Sequence, residues 1–356
     1  MDKIKVLVAM SGGVDSSAAA ALLIEQGYNV SGATMQIWSD DEIASGIGSN
    51  EAVCDAKKVA EQLGIEHFTF DFSAEFKENV ITPFIDDYLS GRTPNPCIFC
   101  NKSMKFGLFL ERALEMGFDY IATGHYANIF EDSDGFHLCR SAFDSKDQTY
   151  VLYNMNQHIL SHLLLPAGNM EKAEIRRYAE KAGIEVANKP DSQEICFIPD
   201  DDYARYIKEN SNYKDKIGDF IDHENGAVLG RHKGIIHYTI GQRKGLGIAL
   251  GEPRFVTEID AKNNRVILGS NENTFSSALI AERVNFINGK PLSAPTRYTA
   301  KTRYSARAAE CTVYPAENGL VRVVFDSPVR AITPGQSVVF YNDNEVIGGG
   351  IILSRD

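Results

Sequence analysis

Two cysteines three positions apart, Cys97 and Cys100, stand in "GRTPNPCIFCNKSMKF" (residues 91–106), a stretch broken by two prolines. A third, Cys196, follows 96 residues after Cys100 in "DSQEICFIP". Thiolates are nucleophiles and metal ligands, so this set suits a metal clip, a disulfide or a pair of reactive thiols. Zinc is disfavoured, because no fourth Cys or His stands at ligand spacing. Six cysteines in 356 residues are too few for a disulfide framework. Cys54, Cys139 and Cys311 fall in helix- or strand-like patterns and read as small buried hydrophobes.

A second chemistry is written near the N-terminus, in "VAMSGGVDSSAAAALL". A buried strand ends, small residues turn, and an Ala-rich helix begins. Such a helix start offers free backbone N–H groups and a positive dipole end to an anion. Ala9, Met10, Ser11, Gly12, Gly13, Val14, Asp15 and Ser16 make up this phosphate loop. Gly12 and Gly13 allow close approach of phosphate oxygens. Ser11, Ser16 and Ser17 can donate hydroxyl bonds, and Asp15 can orient a metal ion or cap the helix. No Gly-Lys-Ser/Thr follows, so this is not a Walker A loop.

These residues need elements to hold them. "IKVLVAM", "YNVSGATMQIW", "EHFTFDF" and "DYIATGH" read as strands. Helical patterns alternate with them over 51–64, 74–90 and 101–117, and again in "EKAEIRRYAEKAG". That alternation gives a parallel sheet covered on both faces. The segment 39–53 reads as a mobile loop near the strand ends. After about residue 200 helical periodicity fades, and short β-rich runs separated by glycines follow. The expected architecture is α/β: a parallel-sheet domain over 1–200, a small β-rich domain over 201–275, and a C-terminal β-barrel over 276–356.

The composition bounds what the chain binds. Its net charge of −12 argues against bulk nucleic-acid binding, yet residues 277–356 carry 9 Lys/Arg against 7 Asp/Glu. Two runs contain no acid at all: "RHKGIIHYTIGQRKGLG" (231–247) and "RYTAKTRYSAR" (297–307), each with four Lys/Arg. Basic residues interleaved with tyrosine suit phosphate contacts plus base stacking. No apolar run is long enough to span a membrane, and the N-terminus lacks a signal peptide's features. A cytoplasmic protein is expected.

The S-G-G-x-D-S-S turn resembles the PP-loop of ATP pyrophosphatases, which split ATP into AMP and pyrophosphate to activate a carbonyl-type oxygen. "GRTPNPCIFCNKSMKF", "DYIATGHYA", "SKDQTYVLY", "DSQEICFIP", "YTIGQRKGLGI", "KTRYSARA" and "ITPGQSVVFY" narrow the resemblance. In this order they resemble the bacterial tRNA-specific 2-thiouridylase family along essentially the whole chain. That resemblance implies an adenine nucleotide alpha hydrolase-like PP-loop domain, ATP with Mg²⁺, a tRNA with a wobble uridine, and a protein donor of persulfide sulfur. It places Met35 and Gly124 in the nucleotide pocket, Gly124 letting adenine or ribose approach the backbone. It puts Asn95, Pro96, Cys97, His125, Lys146, Asp147, Gln148, Arg303, Tyr304 and Gln336 against tRNA. It makes Cys196 the persulfide carrier and Cys100 its catalytic partner, with a Cys100–Cys196 disulfide formed in turnover. Lys102 or Lys105 would help by lowering the thiol pKa.

One position departs from the family pattern. Many members carry Asp where this chain has Cys97, and that Asp is assigned an acid/base role. Cys97 therefore either replaces it, is inert, or completes a three-thiol set. That set resembles tRNA thiolases holding a [4Fe–4S] cluster on three cysteines with one open iron. A different PP-loop adenylating ligase and a non-catalytic ATP- or RNA-binding protein are the competing readings. Both leave the three cysteines without a role.

Overall fold

A short apolar strand, β1 (Lys5–Ala9), lies at the centre of the first sheet, its Val6, Leu7 and Val8 fully buried. It leads into α1 (Val14–Glu25), whose Ala18, Ala19 and Ala20 are also fully buried, because methyl side chains let a helix lie close on a sheet. β2 (Asn29–Gln36), α2 (Asp40–Ala44), α3 (Glu51–Leu63) and β3 (His67–Asp71) follow. The computed structural model describes residues 3–46, 48–185, 195–249 and 251–355. Residues 191–194 of the "DSQEICFIP" motif therefore lie outside the described residues.

The segment expected as a mobile loop holds a helix instead. Ser39 caps α2 in a capping box with Glu42, whose carboxylate accepts from the Ser39 N–H at 2.8 Å. Two longer helical stretches come next. The first runs from α4 (Ser73–Phe76) through a π-helical stretch, Lys77–Ile81, into α5 (Thr82–Leu89). The second runs from α6 (Pro96–Phe99) through a π-helical stretch, Cys100–Leu108, into α7 (Phe109–Glu115). Sequence periodicity placed both stretches within a few residues but gave no sign of their π-helical interiors.

β4 (Tyr120–Ala122) returns to the sheet. The hairpin β5 (Ala127–Asp132) and β6 (Gly135–Arg140) leaves it, and α8 (Gln157–Leu160), β7 (Leu163–Leu164) and α9 (Lys172–Lys181) complete this part. The sheet order is β3-β2-β1-β4-β7, all pairs parallel. The strand order reverses between β1 and β4, the crevice where open α/β sheets bind ligands.

Beyond residue 200 one helix persists, α10 (Tyr203–Glu209), where fading periodicity promised none. Four strands, β8 (Gly218–Asp222), β9 (Val228–His232), β10 (Phe255–Asp260) and β11 (Arg265–Gly269), form the small middle sheet. The last six are β12 (Phe275–Phe286), β13 (Thr296–Lys301), β14 (Ala309–Pro315), β15 (Val321–Arg330), β16 (Ser337–Asn342) and β17 (Glu345–Arg355). Their antiparallel pairing closes into a barrel through β12 and β17. The β5–β6 hairpin pairs onto β17, so strands from the first 200 residues extend the barrel sheet.

Candidate functional site: a nucleotide pocket beside three thiols

The turn after β1 is shaped by packing as much as by phosphate chemistry. Gly12 has φ +70°, and a Cβ there would stand 2.8 Å from the Asp55 Cβ and 2.9 Å from the Ala52 carbonyl oxygen of α3. Gly13 caps α1 without a side-chain bond, and its carbonyl accepts from the Ser16 and Ser17 hydroxyls at 3.2 and 2.8 Å. The Ser16 Oγ accepts from the Ser11 N–H at 3.2 Å. A pocket of about 190 Å³ opens here, lined by Ala9, Met10, Ser11, Asp15, Ser16, Ala33, Met35, Lys105, Thr123, Gly124, His125 and Gln148. It lies at the reversal point between β1 and β4. Gly12, Gly13 and Val14 shape the loop without lining this cavity.

Gly124 lines this pocket and has a packing reason of its own. A Cβ there would stand 2.6 Å from the Asp15 carbonyl carbon and 2.7 Å from the Ser16 nitrogen, so the glycine admits the first turn of α1. Asp15 is engaged too. Lys172 at the start of α9 donates to both its carboxylate oxygens, at 2.8 and 2.7 Å, and the Tyr126 hydroxyl donates at 2.7 Å. With its one lining carboxylate neutralised by Lys172, the pocket has no donor set that holds a divalent ion by itself. Mg²⁺ would arrive on the nucleotide's own phosphates.

The thiols stand beside this pocket. Asn95 caps α6, its side-chain oxygen accepting from the Cys97 N–H at 3.1 Å, and Pro96 is buried at the first helical position. Asn101 is buried and donates to the Val151 carbonyl at 3.0 Å, tying this helix to the segment after "SKDQ". Cys97 is exposed and Cys100 half-buried. Cys196 is open to solvent while protein atoms crowd around it, and that crowding pushes its pKa up to about 12. The thiols of Cys100 and Cys97 raise it further, whereas Lys105 pulls it down. Burial likewise raises Cys100, against the pull of Lys105. Lys102 is exposed and does not figure among the charges acting on these thiols, so Lys105 is the relevant cation. All six cysteines are free. Cys311 is buried as expected, Cys139 is half-buried, and Cys54 is exposed, contrary to its reading as a core residue.

Among the described residues no group of three or more His, Cys, Asp or Glu side chains is gathered to hold a metal ion. The thiols share an electrostatic neighbourhood without the tight donor triangle that a [4Fe–4S] cluster needs. This arrangement does not fit a cluster.

The comparisons with known proteins bear on these same residues. Residues 4–200 match the family described as tRNA methyl transferase HUP domain, 205–270 its PRC-barrel domain, and 276–352 the aminomethyltransferase beta-barrel domain. The tRNA-specific 2-thiouridylase MnmA of Acetivibrio thermocellus is 54% identical over 359 residues, covering 99% of this chain and 100% of that protein. The chain belongs to the tRNA-specific 2-thiouridylase family. The thiouridylase of the same name from Clostridium perfringens is 53% identical, covering 99% of each chain. A solved U34-tRNA thiolase, NcsA of Methanococcus maripaludis with its [4Fe-4S] cluster, is 19% identical with a TM-score of 0.36, covering 59% of this chain and 68% of that one. That likeness is too small to bear on cluster chemistry.

For a thiouridylase family member, the residues expected at RNA are of two kinds. Some are bound within the protein. The Asp147 carboxylate is buried and accepts from the Ser141 N–H at 3.1 Å and the Thr149 hydroxyl at 2.7 Å. Gln148 accepts from the Tyr126 N–H at 2.9 Å, and Gln336 donates to the Thr93 carbonyl at 2.8 Å. His125 shares a 2.8 Å bond with the Thr123 hydroxyl, and burial, then Lys105, holds its pKa well below the usual histidine range. Others face outward or hold a donor in reserve. Tyr304 is 46% exposed although its hydroxyl donates to the Asp147 carbonyl at 3.2 Å. The Arg303 Nε is buried without a hydrogen-bond partner, and Lys146 is half-buried. Tyr304 and Cys97 are near enough to interact electrostatically, so the barrel's basic run reaches the thiol loop. Sequence reasoning missed Tyr126, Lys172 and Thr123 as parts of the site. Thr123 and Tyr126 lie inside the "DYIATGHYA" motif, either side of Gly124 and His125, whereas nothing local marks Lys172.

Proposed function

We propose that this protein 2-thiolates the wobble uridine of tRNA in two steps, using ATP and then a cysteine persulfide. In the first, the uridine O2 attacks the α-phosphorus of ATP, pyrophosphate leaves, and the N3 proton is lost, giving the O2-adenylate. In the second, the Cys100 thiolate attacks the Sγ of a Cys196 persulfide. The Sγ–S bond breaks, hydrosulfide leaves with the bonding pair, and a Cys100–Cys196 disulfide forms. Hydrosulfide adds at C2, AMP departs with the C2–O bonding pair, and the sulfur's proton ends on N3. An external thiol reduces the disulfide. Two electrons thus pass from the cysteine pair to the transferred sulfur.

The observation that carries this reading is that Cys196 lies within electrostatic reach of Cys100 and Cys97, about a hundred residues earlier in the chain, with Lys105 linking these thiols to the pocket at the phosphate loop. The reactive base must be extruded from the anticodon loop to reach it. The acid-free run that ends near Tyr304 supplies phosphate contacts and a stacking face. A persulfide-bearing protein, with access to the exposed face of Cys196, recharges it in the cytoplasm. Cys97 occupies the position of the family's aspartate on the accessible end of α6, where it can meet the target base.

Cys196→Ser tests the relay. The variant should form AMP on tRNA at the wild-type rate yet yield no 2-thiouridine from a persulfide donor. Thiolation by the serine variant at the normal rate would remove Cys196 from the reaction. Anaerobic purification with iron and sulfide analysis separates the routes: full activity without iron supports the relay, and activity that tracks iron content refutes it.

A further inference from the structure

Lys105 belongs to both halves of the site. Its side chain lines the nucleotide pocket with Ser11, Ser16, Gly124 and Gln148, and its charge acts on Cys100, Cys196 and His125. It is half-buried and forms no ion pair among the described residues, unlike Lys172, which is bound to Asp15. A half-buried cation without a carboxylate is expensive unless an anion visits it.

The backbone explains how one side chain reaches two places. Residues Cys100–Leu108 are π-helical, and the Phe109 N–H bonds back to the Met104 carbonyl, five residues earlier. In an α-helix the fifth residue on lies about 140° around the axis, so Lys105 would face away from Cys100. A π-helical turn closes between a residue and the fifth after it, which turns Lys105 closer to the Cys100 side than an α-helix would.

We propose that Lys105 is a catalytic cation used in both steps, contacting the α-phosphate during adenylation and the sulfur anion during transfer, and that the π-helical turn exists to let it do so. The proposal rests on the adenylation-and-relay reading. In the second step negative charge moves from sulfur to the departing AMP phosphate. Lys105 borders the pocket and acts on both thiols, so it can stabilise the charge where it starts and where it arrives. The crowding that keeps the resting thiols protonated gives this single cation its leverage.

The test uses the full-length protein, a tRNA transcript with an unmodified wobble uridine, and the variants Lys105→Gln and Lys105→Arg. Two quantities are read: single-turnover AMP formation, and the pH midpoint of Cys100 alkylation by iodoacetamide without nucleotide, followed by peptide mass spectrometry. Lys105→Gln should slow AMP formation about tenfold or more and move the alkylation midpoint up by about one pH unit, while Lys105→Arg recovers most of both. Equal melting temperatures exclude a folding defect, and Lys105→Met, which keeps the methylene stem, replaces the Gln variant if that one is unstable. A loss of AMP formation with an unmoved alkylation midpoint, or the reverse, overturns the dual role. An Arg variant no better than Gln overturns it as well. Wild-type protein that forms no AMP on tRNA overturns the underlying adenylation reading instead, and the dual role with it.

Discussion

Gly124→Ala is the smallest change that should disable the phosphate loop while sparing the fold. The added Cβ would stand 2.6 Å from the Asp15 carbonyl carbon, 2.7 Å from the Ser16 nitrogen and 2.9 Å from the Asp15 Cβ. Ordinary contact begins at 3.4 Å, so the first turn of α1 must retreat from β4 by about 0.8 Å. Two of the three opposing atoms are backbone, so no rotamer change relieves the clash. Overpacking of this kind costs about 1–3 kcal/mol, which a domain with a margin of about 5–15 kcal/mol survives. The reaction is less tolerant, because a misplacement of about 1 Å can cost about a hundredfold in rate. The retreating turn carries Asp15 and Ser16, and with them the Lys172 and Tyr126 bonds. tRNA-dependent AMP formation and the melting temperature should be measured together. The expected result is a modest fall in melting temperature with a loss of rate on the order of a hundredfold. A variant that forms AMP at the wild-type rate would show that the β4–α1 approach does not set the geometry.

Three further outcomes follow from individual contacts. With its pKa pushed up to about 12, the Cys196 thiol should be alkylated about tenfold faster for each pH unit between about 7 and about 10, and a plateau below pH ~9 would contradict the crowding described. Protonated His137 donates from Nδ1 to Glu345 at 2.6 Å and from Nε2 to Asp132 at 2.9 Å, bonds that raise its pKa, Glu345 first. Its stabilising contribution is therefore complete below about pH 6.5, the unfolded value, and disappears as pH rises through the higher folded value. The melting-temperature gap between wild type and His137→Gln should narrow from about pH 5.5 to about pH 8.5, and parallel curves would refute the linkage. Gln336→Ala removes one hydrogen bond to the thiol loop, a net cost of about 0.5–1.5 kcal/mol. Amide exchange should quicken around Thr93 without change in the first sheet, and an unaltered loop would show that Gln336 does not hold it.

The phosphate loop was legible because its chemistry is local: a buried strand, a glycine-serine turn and an Ala-rich helix are contiguous. The parallel sheet, the β-rich middle domain and the barrel were likewise legible from alternation and glycine punctuation, whereas the strand order was not. What stayed hidden depends on distant partners. Lys172 meets Asp15 from 157 residues away, and no pattern around either announces it. The β5–β6 hairpin reads as part of the first domain yet joins the barrel sheet, since pairing partners leave no mark in a single strand. The nearness of Cys196 to Cys100 came from family resemblance, not spacing. Gly124 carries a packing reason that its sequence neighbourhood does not show: the first turn of α1 lies against it. The short helix after Ser39 could have been read, because Ser39 and Glu42 spell a capping box three residues apart.

The bond from Gln336 to Thr93 spans 243 residues, and the Thr93 N–H returns to the Pro334 carbonyl at 2.9 Å. On a ribosome adding about 5–20 residues each second, the loop that carries Cys97 and Cys100 emerges on the order of ten to fifty seconds before the residues that fasten it. The first sheet can close early from its own strands, so a nascent chain holds a formed phosphate loop, with the thiol helix already bonded through Asn101, before the Thr93 end of the loop is fastened. A chain that stops before the barrel therefore keeps the phosphate loop but lacks the two bonds that hold Thr93, a few residues before Cys97.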